Sequence, residues 1–318
     1  MATDLLRTCK YKMNQNRSII GIGKQKQQAA SHLSSLVEQA LGGLLYSSVF
    51  ISCCGFSLTV ETYLLAKVPV SLPMAVFVFL ATLFTYNLSS VQSMVRHPLQ
   101  QPDILSVSWV QRHKRSMAAL GLASIGAAAI LYFIYDLKIN VWIMLHLAII
   151  SIGYTVPMVV NKSRKVRPLR SVPLLKVFLI AYVWAVVTAL FPLMDAGLQV
   201  WDAQALLLFV RRFLFILALA LLFDIRDYTY DRSTSTLTFP GLLGVRKTKL
   251  LSLALLLVYG LISVSAESGP VQLALMASTA GAAMVVLFSS EDKPRLYYAL
   301  LADGAMLLHA GLIYLTLR

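Results

Sequence analysis

An all-helical, polytopic membrane bundle is the fold class this sequence predicts, and three observations predict it. Of 318 residues, 58% are hydrophobic and 13% charged, where a soluble domain carries about 25% charged residues. Apolar runs near the spanning length of about 20 residues recur along the whole chain. Basic residues collect in alternate connections between those runs, the pattern that orients membrane helices. The runs are read as helices because the bilayer core admits only helices or closed barrels, and barrel strands alternate over about ten residues.

Nine segments are expected to span: 41–64, 70–93, 116–135, 139–158, 173–193, 202–224, 248–266, 270–288 and 296–317. They are expected to surround a central cavity. Residues 1–35 form a polar, basic arm, expected to be disordered and cytosolic, with Met13 as an alternative start. The arm lacks the short apolar stretch and cleavage site of a signal peptide. Residues 36–318 form the membrane domain.

Charge placement supports the count. The arm and the connections after segments 2, 4, 6 and 8 hold all but five of the 28 Lys and Arg residues. Lys67, Lys138 and Arg318 fall on the other side, and Arg211 and Arg212 fall inside segment 6. By the positive-inside rule the N-terminus is cytosolic. The net charge of +14 is then topology signal and attraction to anionic membrane lipids. Nothing calls for a nucleic-acid partner. Cys9, Cys53 and Cys54 make neither a disulfide framework nor a metal motif. The longest connections follow segments 2 and 6, and long loops in compact proteins are usually functional. The chain reads as a multi-pass membrane protein, of the cytoplasmic membrane if bacterial.

The stretch LLFDIRDYTYDRSTSTLTFPGLLG carries the chemistry. At 100° per residue, Asp224, Asp227 and Asp231 share an arc of roughly 60° on a continuous helix. Such an acidic stripe is costly unless neutralised, and magnesium, which bridges one or two carboxylates to phosphate oxygens, is the natural partner. Arg226 and Arg232 are nearby but mostly on other faces, and a basic connection follows segment 4. Carboxylates, a divalent cation and Lys/Arg donors together suit a diphosphate, with membrane helices behind to hold an apolar tail. The plainer alternative is a set of solvated charges balancing neighbouring arginines.

The same stretch resembles the second aspartate motif of the UbiA superfamily of intramembrane prenyltransferases, D-x-x-D-x-x-x-D followed by a T-[LF]-P-x-x-L-G segment. Here it reads Asp224, Asp227 and Asp231, then Thr238, Phe239, Pro240, Leu243 and Gly244. A second match, to the family's Tyr-Ser-x-Pro segment and the basic residues after it, runs through Tyr154, Thr155, Pro157, Arg167, Arg170, Lys176 and Trp184. The resemblance covers about residues 40–318 and identifies 36–318 as a UbiA-like domain. It implies transfer of a prenyl group from a prenyl diphosphate, or binding of another isoprenoid lipid, with magnesium as cofactor. It implies Asp224, Asp227 and Asp231 as metal ligands, with Asn87 and Tyr154 beside them at the cavity mouth. Arg96, Arg170, Lys176 and Arg232 are the implied substrate contacts. For Tyr154 an interfacial anchor role stays open, and for Lys176 snorkelling does.

The first family motif, N-D-x-x-D-x-x-x-D, departs. Asn87 is present, but Leu88, Val91 and Val95 stand at its aspartate positions. Asn87, Ser90 and Gln92 offer neutral oxygens, and Arg96 and His97 could meet phosphate directly. Three readings stay open: an active prenyltransferase, a non-catalytic binder or carrier of an isoprenoid diphosphate, and a scaffold.

Buried membrane charges usually pair, so Arg211 or Arg212 is expected to pair with Asp303. His146 and His309 are expected to be satisfied core residues, and Glu61 to reach the interface.

Overall fold

The computed structural model describes residues 43–96, 104–156, 159–160, 166–169, 172–233 and 236–317. The arm 1–35, His97 and Arg170 lie outside them, as do the side chains of Arg96, Thr155 and Arg167.

The helices follow the apolar runs. They are α1 (Val49–Ala66), α2 (Leu72–Arg96), α3 (Ile104–Ile134), α4 (Val141–Thr155), α5 (Leu175–Asp195), α6 (Ala203–Arg226), the short α7 (Tyr228–Ser233) and α8 (Phe239–Leu243), then α9 (Val245–Ala266), α10 (Gly269–Phe288) and α11 (Arg295–Leu317). Among the described residues, eight are long and apolar enough to cross a membrane. The fourth expected span, 139–158, falls short. Helix α4 has 15 residues, about 22 Å of rise against a hydrocarbon core of about 30 Å. Asn140 starts it by accepting the Trp142 N–H at 2.9 Å. Val156 ends it in extended geometry, φ −88° and ψ 137°. The next residue is Pro157, and the position before a proline is pushed out of the helical region. Two residue pairs then form a small antiparallel ribbon, β1 (Val159–Val160) on β2 (Val166–Arg167), which the all-helical expectation did not contain.

Burial sorts the helices into layers. Helices α1, α5 and α6 each bury 61% of their spanning window, whereas α3, α9 and α10 bury 22–28%. The first three are therefore the inner layer, and the others turn most of their apolar surface outward, as lipid-facing helices do. The core runs along α6 from Phe215 through Leu222 to Ile225, against Cys54 and Leu58 of α1, Val177 and Ala181 of α5, and Ala302 and Ala305 of α11.

The inner helices are irregular, and their irregularities are satisfied. Helix α5 passes through a π-helical turn, Val186–Leu190, just before Pro192. A proline has no N–H to give the carbonyl four residues back. That carbonyl, of Thr188, instead accepts the Thr62 hydroxyl of α1 at 2.7 Å. In a membrane interior, where water cannot serve, such a bond is what permits the proline. Helix α11 has a second π-helical turn, Tyr298–Ala302, ending at Asp303.

Candidate functional site

The site lies where α5 begins and α6 ends. Helix α6 does not continue as one rod through the three aspartates. It stops at Arg226, Asp227 is its C-cap, and α7 restarts at Tyr228. The expected single stripe is therefore split. Asp224 and Asp231 are buried, 1% and 6% exposed, and both face Lys176. The Lys176 Nζ lies 2.7 Å from Asp224 Oδ1 and 3.5 Å from Asp231 Oδ2. Asp227 turns to Arg226, which donates to both its carboxylate oxygens at 2.8 Å. Arg226 was expected on another face; folding back onto the adjacent residue puts it in the site.

The segment after α7 closes around this cluster. The Phe239 backbone N–H reaches the Asp224 carboxylate, and Phe239 packs edge-on against Phe178 of α5, ring centroids 6.0 Å apart. Gly244 links α8 to α9 at φ 81° and ψ 155°, a conformation open essentially to glycine alone. Leu174, at φ 60°, is tied across the site by its N–H to the Leu237 carbonyl at 3.2 Å. A leucine in the left-handed region is strained, and this cross-link holds it there.

Charge here is tightly coupled. Burial pushes the Asp231 carboxyl up to about 6, against the pull of Lys176 and with the push of Asp227 and Asp224. For Asp227 burial also acts upward, but the Arg226 guanidinium outweighs it and holds the carboxyl below its ordinary range. Asp231 is thus the carboxylate whose negative charge is least compensated. Among the described residues, no three His, Cys, Asp or Glu side chains stand close enough together to form a metal-binding group.

The other anticipated residues fall as follows. Asn87 on α2 is fully buried, and among the described residues neither end of its amide has a hydrogen-bond partner. Leaving both donors and acceptor unmet costs on the order of 1–3 kcal/mol. Beside it, Tyr86 Oη accepts the Trp184 indole N–H at 3.1 Å. Tyr154, half-buried in the last turn of α4, is close enough to Lys176 to interact with it electrostatically. Arg232 is exposed on α7. Arg96 belongs to the last turn of α2.

The buried arginines of α6 do not pair with Asp303. Arg212 pairs with Glu61 at 3.1 Å and Arg211 with Glu267 at 3.0 Å. Asp303 sits instead near Arg226. The reason is depth. Arg226 lies about 22 Å along the helix from Arg211, at 1.5 Å per residue. Glu61, expected at the interface, is 2% exposed. His309 is satisfied in the core, as expected, with Glu61, Tyr259 and Ser278 around its ring.

No protein-family model matches this sequence, and no curated protein does either. Solved structures do match in three dimensions. A UbiA homologue from Archaeoglobus fulgidus bound to GPP and Mg2+ aligns with a TM-score of 0.56 at 13% identity, over 85% of this chain and 99% of that one. The same protein bound to DMAPP and Mg2+ aligns at 0.53, again at 13% identity over 85% and 99% of the two chains. The apo structure of a UbiA homologue from Aeropyrum pernix K1 aligns at 0.50, with 17% identity over 83% and 95%. At these identities the likeness is one of architecture, and it spans nearly the whole of each homologue: this chain is a multi-pass membrane protein built on the UbiA fold.

Proposed function

We propose that the protein binds a prenyl diphosphate at the Asp224–Lys176–Asp231 cluster and transfers its prenyl group to an acceptor. One observation carries the reading: two buried carboxylates, seven residues apart, converge on a single cation at the end of an inner helix. That this happens on a fold shared with homologues bound to GPP or DMAPP and Mg2+ supports it.

The donor set fits magnesium. Lys176 marks a position where one positive charge is held between two carboxylates, and one or two carboxylates with phosphate oxygens is the usual magnesium environment. Asp224 and Asp231 would hold the ion, and Asp227 would join them on leaving Arg226. When bound, magnesium would supply charge stabilisation for the departing diphosphate. Lys176 and Arg226, released from their carboxylates, then have donors for the phosphate oxygens. The allylic C–O bond breaks with its electron pair leaving on the diphosphate, and the acceptor attacks the prenyl carbon and loses a proton. The apolar walls of α1, α5 and α6 keep water from the cation. Asn87, whose amide is otherwise unmatched, and Tyr154 would line the mouth. Arg96, Arg170 and Arg232 are further candidate phosphate contacts.

A second reading has its own observation. Leu88, Val91 and Val95 offer no metal ligand on α2, which favours a binder or carrier that never ionises its ligand. Radiolabelled geranyl diphosphate and purified protein separate the two. Magnesium-dependent binding with diphosphate release, both lost in the Asp224→Ala/Asp227→Ala variant, supports transfer. Binding without release supports the carrier, and no binding removes both.

A further inference from the structure

The proposed transfer requires the acceptor to lose a proton, and the carboxylates of the diphosphate site are already occupied: Asp224 and Asp231 by Lys176, Asp227 by Arg226. The crossing helices carry Glu61, Asp195, Asp224 and Asp303. Glu61 accepts from Arg212 at 3.1 Å, Asp195 accepts from the Tyr63 hydroxyl at 2.9 Å, and Asp224 lies 2.7 Å from the Lys176 ammonium. Asp303 differs. Among the described residues its carboxylate has no hydrogen bond and no ion pair. An ionisable group inside a membrane is costly, so one kept without a bonded partner points to a ligand.

The surroundings of Asp303 tie it to the diphosphate end. It follows the π-helical turn Tyr298–Ala302 of α11, and such turns are frequent at functional sites. Arg226 lies over the Phe223 ring, 5.0 Å from its centroid, and Phe223 packs on Tyr298 of that turn, ring centroids 6.4 Å apart. The Cys54 thiol of α1 donates to the Asp303 backbone carbonyl at 3.4 Å, which leaves the carboxylate unbonded. Asp303 is half-buried, so it is not sealed into the core. Its charge acts on Arg226 of α6 and on Tyr86 of α2. Tyr86 is itself only half used: Oη accepts the Trp184 N–H at 3.1 Å, and among the described residues its own hydrogen has no acceptor. Tyr154 is within electrostatic reach of both Tyr86 and Lys176, which sets Tyr86 on the Asp224 side of the bundle.

We infer that Asp303 is the base of the transfer, and that the acceptor it serves is an apolar molecule carrying a hydroxyl group. A hydroxyl both accepts and donates. Between these two side chains it accepts from Tyr86 and donates to Asp303, completing both. Arg226 already supplies a positive charge beside Asp303, which disfavours a cationic amine in the same place. In the step, the acceptor O–H bond breaks and its proton passes to the Asp303 carboxylate. A lone pair of that oxygen forms the new bond to the prenyl carbon, and the allylic C–O pair leaves on the diphosphate. The products are a prenyl ether, diphosphate and a neutral carboxyl, with nothing oxidised or reduced. The inference rests on the prenyl-transfer reading above.

The test uses the purified full-length protein with magnesium, geranyl diphosphate and para-propylphenol as the hydroxyl probe, beside the methyl ether of that phenol, which keeps the body and lacks the O–H. The phenol should raise the melting midpoint saturably, and the ether should not. Asp303→Leu should abolish that rise and keep magnesium-dependent binding of geranyl diphosphate. Asp303→Asn keeps the shape and an accepting oxygen but is no base. Its KM for the phenol should change little, while kcat for diphosphate release should fall by about 10²–10⁴-fold. Equal responses to phenol and ether, a phenol response that survives Asp303→Leu, or an Asp303→Asn variant as fast as the unsubstituted protein would each overturn the assignment. So would an unsubstituted protein that binds phenol and geranyl diphosphate but releases no diphosphate. In those cases geranyl diphosphate still binds, and the diphosphate site stands without this base. An unsubstituted protein that binds no geranyl diphosphate removes the site and this inference with it. Should Asp303→Leu fail to fold, Asp303→Asn and the phenol–ether comparison on the unsubstituted protein decide.

Discussion

Replacing Asp231 by Asn should make the protein more stable at neutral pH while weakening its ligand binding. In the folded state the Asp231 carboxyl stands at about 6, raised by burial and by the two neighbouring aspartates; its ordinary value is about 3.9. A raised carboxyl means the folded state binds its proton more tightly than the unfolded state does. Stability is therefore full below about pH 4, falls as pH rises from about 4 to 6, and stays low above that. The shift of about two pH units corresponds to about 3 kcal/mol at 1.36 kcal/mol per unit. Asparagine has the same shape and no charge to desolvate, so Asp231→Asn should remove this loss. Thermal unfolding of both proteins at pH 4.0, 5.0, 6.0 and 7.5 measures it, values chosen to bracket the range of about 4 to 6. The midpoints should nearly coincide at the acid end and separate toward neutrality, with the variant higher. A variant that is less stable at neutral pH would show that the pairing with Lys176 outweighs the burial, and the carboxylate would then be a structural ion-pair member. Together with a loss of magnesium-dependent geranyl diphosphate binding, the expected result would show a carboxylate that costs stability and serves a ligand.

Further substitutions test neighbouring steps. Glu61→Gln strips the partner from buried Arg212 and should lower stability by about 3–5 kcal/mol, read as a fall in the melting midpoint. Asp303→Asn should leave that midpoint far closer to the unsubstituted value, since Asp303 lies near Arg226 and not paired with Arg211 or Arg212. Lys176→Met leaves Asp224 and Asp231 facing each other without their shared cation; its melting midpoint should drop in metal-free buffer and rise with added magnesium more than that of the unsubstituted protein. Thr62→Val uncaps the Thr188 carbonyl at the Pro192 break and should cost about 1–3 kcal/mol.

Much of the fold was legible because a membrane leaves few choices. Apolar length marked most long helices within a few residues, but α1 (Val49–Ala66) starts later than the expected 41, α3 (Ile104–Ile134) starts well before the expected 116, and α4 was overestimated, at 139–158 against Val141–Thr155. The missing signal there was local: Pro157 forces the residue before it out of the helix, whatever the hydropathy of the next residues. The split of the acidic stripe was less legible. Constant 100° steps hold only while a helix lasts, and Asp227 caps α6 before Asp231 is reached. Asp224 and Asp231 still converge because α7 restarts at once, whereas Asp227 finds Arg226 by folding back on its own neighbour, a contact no face diagram contains. The unmatched Asn87 amide has no signature in sequence at all, since it depends on what α3 and α5 do not offer it.

The mispairing of the buried arginines is a different kind of failure, and one that depth corrects. Matching charge to charge made Asp303 the partner of Arg211 or Arg212. Yet a helix enters the membrane on one side and leaves on the other, so position along the span sets depth. Arg211 and Arg212 lie in the first half of α6, while Glu61 lies near the end of α1 and Glu267 just past the end of α9. The Arg212–Glu61 and Arg211–Glu267 ion pairs join these three stretches. Those three stretches therefore share a depth. Asp303, near the start of the last span, shares the depth of Arg226. Read by depth, the sequence places the two carboxylates beside the two arginines and sets Asp303 beside the Asp224 end. The two ends of the bundle then differ in kind. At one, Lys176 is shared between two carboxylates and Arg226 folds onto a third; at the other, Arg212 and Arg211 are each held to a carboxylate of a different helix end.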